Sequence, residues 1–263
     1  MKKRKINFLV KPVLSGLVIL LALAFILGYI LKVLTTSDYF RVNDVIGEQM
    51  PGVDFSRIKG ENIFTLDLYS EAENIARFCP DCLRVRLARV LPDRIFVEFV
   101  RRKPVALVKL YRNFAVDQYG VFFDSSSANG DFDLPVITGL DGKIFGAKPG
   151  LRCKVKELLL VLSIIKEANN TRLLRDYRLQ EIKVNGLDDI TISIAFKPDA
   201  EVSLPWRARE KQRTIEVRIS QGGIHQKVIV MAGLLNQEQN NPGNIKYIDL
   251  RFREPVIKFK DAK

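Results

Sequence analysis

The chain reads as an α+β protein: a single N-terminal transmembrane helix, a small unit ordered strand, helix, helix, strand, strand, and then a mixed β-rich domain with two helices. Three observations predict this. Val13 to Leu31 holds nineteen residues without a charge. Residues 83–99 alternate apolar and polar with the period of a half-buried hairpin. Beyond residue 105 short β-type runs dominate, broken by two stretches with helical spacing.

The apolar run comes first. At about 1.5 Å per residue, nineteen helical residues cover roughly the 30 Å hydrocarbon core of a bilayer. Lys11 and Lys32 bound it, and the twelve residues before it carry Lys2, Lys3, Arg4, Lys5 and Lys11 with no acid. The positive-inside rule then holds the N-terminus in the cytoplasm and sends the rest of the chain outside. Ala22-Leu23-Ala24 has the small-x-small form of a signal-peptidase site, but the apolar run continues through Phe25, Ile26, Leu27, Tyr29 and Leu31. A signal's apolar core gives way to a polar cleavage region, so an uncleaved anchor is the better reading. The expected organisation is a basic cytoplasmic tail over 1–12, an anchor over 13–34, a small unit over 35–105 and a β domain over 106–263.

The chain carries 42 basic and 30 acidic residues, a net charge of +12 and a pI near 9.6. Such a balance ordinarily raises nucleic acid as a partner. The topology argues against it, because most of the charge lies on the far side of the membrane from nucleic acid. Removing the five positives before the apolar run leaves +7, which fits a solvated basic surface or attraction to anionic headgroups or wall polymer.

Cys79, Cys82 and Cys153 are an odd set, so they do not form a disulfide framework. Cys79-Pro80-Asp81-Cys82 has redox-motif spacing, but a redox motif needs its βαβ setting and a zinc site needs further ligands. The chain's one histidine, His225, is far away in sequence. A local disulfide or a pair of free thiols is the expectation, with no metal and no cofactor.

In order, Tyr39 to Val45 is expected as the first strand, Gly47 to Gly52 as a loop, and Asp54 to Lys59 as one or two helical turns. Asp67 is placed to cap a helix running to about Phe78, with Glu71 and Glu73 near its positive end. Leu83, Val85 and Leu87 then alternate with Arg84, Arg86 and Ala88. After Leu91-Pro92-Asp93, Ile95, Val97 and Phe99 alternate with Arg94, Phe96 and Glu98. Pro104 stops simple continuation as a central strand. Strands are expected at 105–110, 114–116, 121–123, 181–184, 190–196, 201–204, 213–219, 247–252 and 256–260, a polar loop at 125–133, and helices at about 155–169 and 225–237.

The order of these elements and several phrases resemble the FtsQ/DivIB family of bacterial cell-division proteins. The phrases are Tyr39-Phe40-Arg41-Val42, Asn62 to Asp67, Val85 to Asp93, Arg102-Lys103-Pro104-Val105-Ala106, Val116 to Phe122, Leu134 to Gly139, and Tyr247-Ile248-Asp249-Leu250-Arg251. Trp206 to Gly223 looks longer and more basic than the family's usual link. The resemblance implies a bitopic inner-membrane protein with a POTRA domain outside the membrane and a β domain after it. It also implies a non-enzymatic scaffold at the division septum, joining early cytoplasmic-ring components to wall synthesis through single-span partners of the FtsB and FtsL type.

The resemblance places partner binding at a sheet edge near the last strand, on Tyr247, Ile248, Leu250 and Phe252. There a partner strand would add to exposed N–H and C=O groups. Alternation sends Ile248, Leu250 and Phe252 toward the core and leaves Tyr247 outside. Arg84, Arg86 and Arg94 form a second, possible contact face on the POTRA unit, a row that otherwise reads as a solvated sheet face.

The competing class is a membrane-anchored wall enzyme of the penicillin-binding type. Ser56-Arg57-Ile58-Lys59 and Ser163-Ile164-Ile165-Lys166 fit S-x-x-K, and Ser127-Ala128-Asn129 fits S-x-N, but no K-T-G or K-S-G tripeptide exists. The chain has no G-x-S-x-G, no P-loop and no H-E-x-x-H. An outer-membrane barrel protein would need many strands of about ten residues, which the pattern lacks.

Overall fold

The computed structural model describes residues 6–48, 50, 52–124, 134–196, 214–237 and 244–260. It divides into two compact units, Met1–Arg101 and Arg102–Lys263. The protein is α+β with one N-terminal apolar helix and large mixed sheets.

In the first unit, α1 runs Ile6–Thr36, and its stretch Leu14–Thr36 is long and apolar enough to cross a bilayer. A short 3₁₀ turn, Asp38–Phe40, follows. Strand β1 is Asp44–Gly47, later than the Tyr39–Val45 run expected. Phe40 and Val42 do turn inward, but Arg41 pairs only as an isolated bridge with Asn62. The ladder with β3 starts at Asp44. Gly47 ends the strand at φ 116°, where a Cβ would overlap the Val97 carbonyl.

Asp54 to Lys59 makes a single turn, with the Ile58 and Lys59 amides donating to the Phe55 carbonyl at 3.0 and 3.3 Å. Helix α2 spans Leu68–Ala76, two residues shorter than expected. Its cap is the Asp67 carboxylate, which accepts the Tyr69 and Ser70 amides. The hydrogen bond from the Ser70 hydroxyl, with those from the amides, favours the anion and pulls the Asp67 pKa down.

Strands β2 (Cys82–Val90) and β3 (Arg94–Arg101) form the expected hairpin, and the sheet order is β1-β3-β2. Ile95, Val97 and Phe99 are buried. The β2 alternation breaks at a register shift between Cys82 and Arg84, so Cys82 and Val85 are buried while Leu83 is exposed. Cys79 and Cys82 form a disulfide that joins the end of α2 to the start of β2.

The second unit holds a nine-stranded sheet in the order β12-β11-β10-β9-β8-β7-β4-β5-β6. Its strands are β4 (Ala106–Lys109), β5 (Asn113–Val116), β6 (Phe122–Asp124), β7 (Val136–Thr138), β8 (Tyr177–Val184), β9 (Ile190–Phe196), β10 (Thr214–Ile219), β11 (Ile245–Asp249) and β12 (Val256–Phe259). Helices α3 (Lys156–Asn170) and α4 (Ile224–Asn236) link the parallel pairs β7/β8 and β10/β11. Both crossovers step the same way along the sheet, so the right-handed rule puts both helices on one face. They pack there through Leu158, Val161 and Ile165 of α3 and Val228, Met231 and Leu235 of α4.

Three expectations change in this unit. Strand β7 lies in the Leu134–Gly139 phrase, where no strand was expected. Strand β8 begins at Tyr177 rather than Glu181. The 247–252 strand shifts to Ile245–Asp249. The 125–133 loop and the 201–204 strand lie outside the described residues.

A candidate partner-docking edge

A β-sheet ends in two strands, each with one flank unpaired unless something covers it. At the β6 end the chain covers its own flank. The Phe122 amide donates to the Leu151 carbonyl at 3.0 Å, the Gly150 amide to the Phe122 carbonyl at 2.7 Å, and the Cys153 amide to the Gly120 carbonyl at 2.8 Å. Val121 and Arg152 face each other as an isolated bridge. The edge is sealed by residues 150–153.

Asp117 holds the turn that makes this seal possible. Its side chain is 4% exposed, and Oδ1 accepts the Tyr119 and Val121 amides, both at 2.9 Å. Oδ2 accepts from Arg102 Nη1 at 2.6 Å. The phrases around Arg102 and Asp117, 15 residues apart in sequence, are thus joined by one ion pair at this turn.

At the opposite end lies β12. It pairs antiparallel with β11 through Val256, Ile257, Lys258 and Phe259, and no strand covers its far flank among the described residues. Ile257 packs on the core, while Val256, Phe259 and the nearby Phe252 are exposed at 46, 47 and 63%. The edge therefore offers main-chain groups flanked by apolar side chains, with Lys258 on the strand and Lys260 just past it.

The four predicted edge residues fall differently. Strand β11 lies between β10 and β12, so Tyr247 and Ile248 are on an inner strand, not on the edge. Ile248 and Leu250 are buried at 0 and 2%. Tyr247 turns to the face away from the helices, aligned with Glu216 and Lys258, and the Arg218 guanidinium lies 5.0 Å from its ring centroid. Phe252 does not face the core, because the strand ends at Asp249 and the chain bends there.

That bend is held by charge. Asp249, 5% exposed, takes Arg251 Nη2 at 2.7 Å and Nε at 3.0 Å, and Arg251 Nη1 reaches Asp189 at 3.2 Å. Hydrogen bonding from Arg251 drives the Asp249 carboxyl below its ordinary pKa, and the same bonds raise Arg251. The missed residues are Val256 to Phe259. Pro255 before a short run with lysines is the signal of an edge strand, and it was readable.

In the first unit Arg84, Arg86 and Arg94 share one sheet face, since Arg84 opposes Val100, Arg86 opposes Glu98 and Arg94 opposes Val90. The row is not uniformly basic. Arg86 pairs with Glu98 at 3.1 Å, Arg94 lies 3.9 Å from Asp93, and Phe96 is exposed among them.

The serines of the enzyme reading are already engaged. Ser163 Oγ donates to the Leu160 carbonyl within α3 at 2.7 Å, and Ser56 Oγ donates to Asp54 at 2.6 Å. His225 Nδ1 sits 2.8 Å from Glu167. Ser127 and Asn129 lie outside the described residues. Among the described residues, no three His, Cys, Asp or Glu side chains gather where they could share a cation.

The model of the family described as cell division protein FtsQ/DivIB, C-terminal, matches residues 106–251, from β4 through the Asp249–Arg251 bend. The chain belongs to the FtsQ/DivIB family. A cell division protein FtsQ of Geotalea daltonii is 24% identical over 207 residues, covering 78% of this chain and 68% of that protein. The FtsQ of Syntrophotalea carbinolica is 23% identical over 238 residues, covering 88% and 78%. The FtsQ of Myxococcus fulvus is 32% identical over a shorter 106 residues, 40% and 37% of the two chains. The FtsQ/DivIB match ends before β12.

Proposed function

We propose that this cell-division protein is a non-enzymatic scaffold of the division machinery. It spans the cytoplasmic membrane once through Val13–Leu31, with its N-terminus in the cytoplasm and the residues after the span outside. It acts at the septum, linking early cytoplasmic-ring components to wall-synthesis proteins through FtsB/FtsL-type single-span partners. The first unit serves as a POTRA domain, and Arg84, Arg86, Phe96 and Arg94 offer a second, mixed contact face to other division proteins.

The observation that carries the reading is the inequality of the two sheet edges, one sealed by the chain's own backbone and one left open, among the described residues, beside exposed Phe252, Val256 and Phe259. Such an edge binds an extended segment by adding it as a strand, with main-chain bonds for affinity and alternate side chains for selectivity. Ile248 and Leu250 act from beneath by fixing β11, while Tyr247 and Phe252 border the docking surface.

A fluorescent fusion should gather at midcell in dividing cells, and depletion should give filaments. An even envelope distribution with normal septa would end this reading. At the edge itself, Ile257→Pro removes a ladder donor and should abolish co-purification with an FtsB-type partner. Recovery equal to the parent would move the site elsewhere.

A further inference from the structure

The last carbonyls of α1 have no partner within the helix and must find one outside it. The Ser37 amide takes Val33 O at 3.0 Å, and the Thr35 and Thr36 hydroxyls fold back to Leu31 and Lys32. Leu34 O is taken by Asn62 Nδ2 at 2.9 Å, a residue 28 positions further on. Asn62 thereby ties a distant loop to the helix end.

That loop is pinned on every side. Asn62 Oδ1 accepts the Phe64 amide at 2.9 Å, and the Ile63 amide donates to Phe40 O at 2.8 Å. From β2, the Arg89 guanidinium donates to Ile63 O at 2.6 Å and Leu66 O at 2.9 Å. The mount carries rings: Tyr39 meets Phe40 edge-on at 5.2 Å, and Phe40 meets Phe64 at 5.1 Å. Tyr39 is 68% and Phe64 37% exposed.

Depth follows from the helix. With Leu31 at the end of the apolar run, Leu34 stands about 4.5 Å and Thr36 about 7.5 Å beyond it. The headgroup layer is roughly 5–8 Å thick on each side, so the Leu34 carbonyl that Asn62 holds lies within it. Lys32 extends its ammonium into the same layer. Aromatic side chains concentrate at this level because a ring that is apolar in body and polar at its rim suits neither bulk water nor acyl chains.

We propose that Tyr39 and Phe64, braced by the core-packed Phe40 between them, form an interfacial anchor whose occupant is the headgroup and glycerol layer of the bilayer that α1 crosses, with Asn62 as the clasp that sets Phe64 at that depth. The proposal rests on α1 spanning a membrane. It makes the junction a rigid mount, so the first unit stands on the helix end instead of swinging on a tether.

The test uses the full chain in phosphatidylethanolamine/phosphatidylglycerol vesicles, with Trp206→Phe as background and one tryptophan added as Phe64→Trp, Tyr39→Trp or Phe25→Trp. Lipids brominated near the carbonyl end of the acyl chains should remove at least about half the emission of both interface probes, and of the in-span probe Phe25→Trp. Quenching at Phe25→Trp with full emission at both interface probes would overturn the anchor and leave the span standing. Full emission at all three would overturn both. Adding Asn62→Ala should restore the Phe64→Trp emission while Tyr39→Trp stays quenched, with circular dichroism confirming the fold. Unchanged quenching at Phe64→Trp would remove Asn62 from the role of clasp.

Discussion

Replacing Asp117 by alanine tests whether the sealed edge is built on one buried carboxylate. The substitution removes three bonds: the 2.6 Å contact from Arg102 and the 2.9 Å contacts from the Tyr119 and Val121 amides. A hydrogen bond to a charged group at a site this dry is worth about 1.5–3 kcal/mol, and each amide bond about 1 kcal/mol. The expected loss is therefore about 4 kcal/mol. Asp117→Asn keeps an acceptor for the two amides but loses the anion, and should cost about 2 kcal/mol. Denaturant unfolding of the detergent-solubilised chain, followed by circular dichroism, reads both. Arg102→Met and the double variant complete a cycle whose coupling should be about 2 kcal/mol. Because Gly120 and Val121 also face the sealing segment, amide exchange at Phe122 and Cys153 should accelerate in Asp117→Ala and much less in Arg102→Met. A coupling under about 0.5 kcal/mol, or equal damage from Asn and Ala, would refute the idea that charge and turn act together.

The Asp249–Arg251 clamp has a pH signature. The folded Asp249 pKa is depressed, so its contribution is fully present above the ordinary carboxylate value of about 4 and disappears as pH falls through the lower folded value. Arg251→Ala should cost about 3 kcal/mol at neutral pH, with the difference from the parent shrinking steadily below pH about 4 in acid-denaturation series. A gap independent of pH would show that packing, not charge, holds the bend. Replacing Cys79 and Cys82 together by serine opens a four-residue loop, for which chain entropy gives about 2 kcal/mol. Denaturant unfolding should show that loss, and a phosphine reductant should reproduce it in the parent but not in the variant. At the docking edge, Phe259→Ala should weaken FtsB-type co-purification, whereas Ile248→Ala should lower stability by about 3 kcal/mol, read by thermal melting.

What could be read in the sequence was local. The hairpin was legible because one of its faces is wet, so Ile95, Val97 and Phe99 alternate visibly with Arg94, Phe96 and Glu98. Helix α2 was legible because Asp67 announces its start. Strand β7 was not, since its three residues lie between β4 and β8 and show no long alternation. Tyr39 to Val42 alternates like a strand because Phe40 and Val42 do face a core, yet what it faces is the Asn62 loop. The candidate site suffered most. Alternation correctly sent Ile248 and Leu250 inward, but which strand is outermost depends on β10 and β11 pairing across α4, a non-local fact that no window of sequence contains. The Arg102 and Asp117 phrases were both visible, and only the fold shows that one neutralises the other.

The two ends of the nine-stranded sheet express one physical problem in opposite ways. An uncovered strand invites any extended chain, and the β6 end removes the invitation by pairing with residues 150–153. The β12 end cannot do so if it is to receive a partner. It is instead restricted: four residues long, preceded by Pro255, and carrying Lys258 on the face where Tyr247 and Glu216 lie. A second copy of β12 would bring lysine toward lysine, whereas a partner strand with acidic residues on one face and apolar residues near Val256 and Phe259 would satisfy both. On the proposed docking, selectivity at this edge would come from what it repels as much as from the backbone bonds it offers, and charge reversal at Lys258 should discriminate between partners more sharply than truncation to alanine.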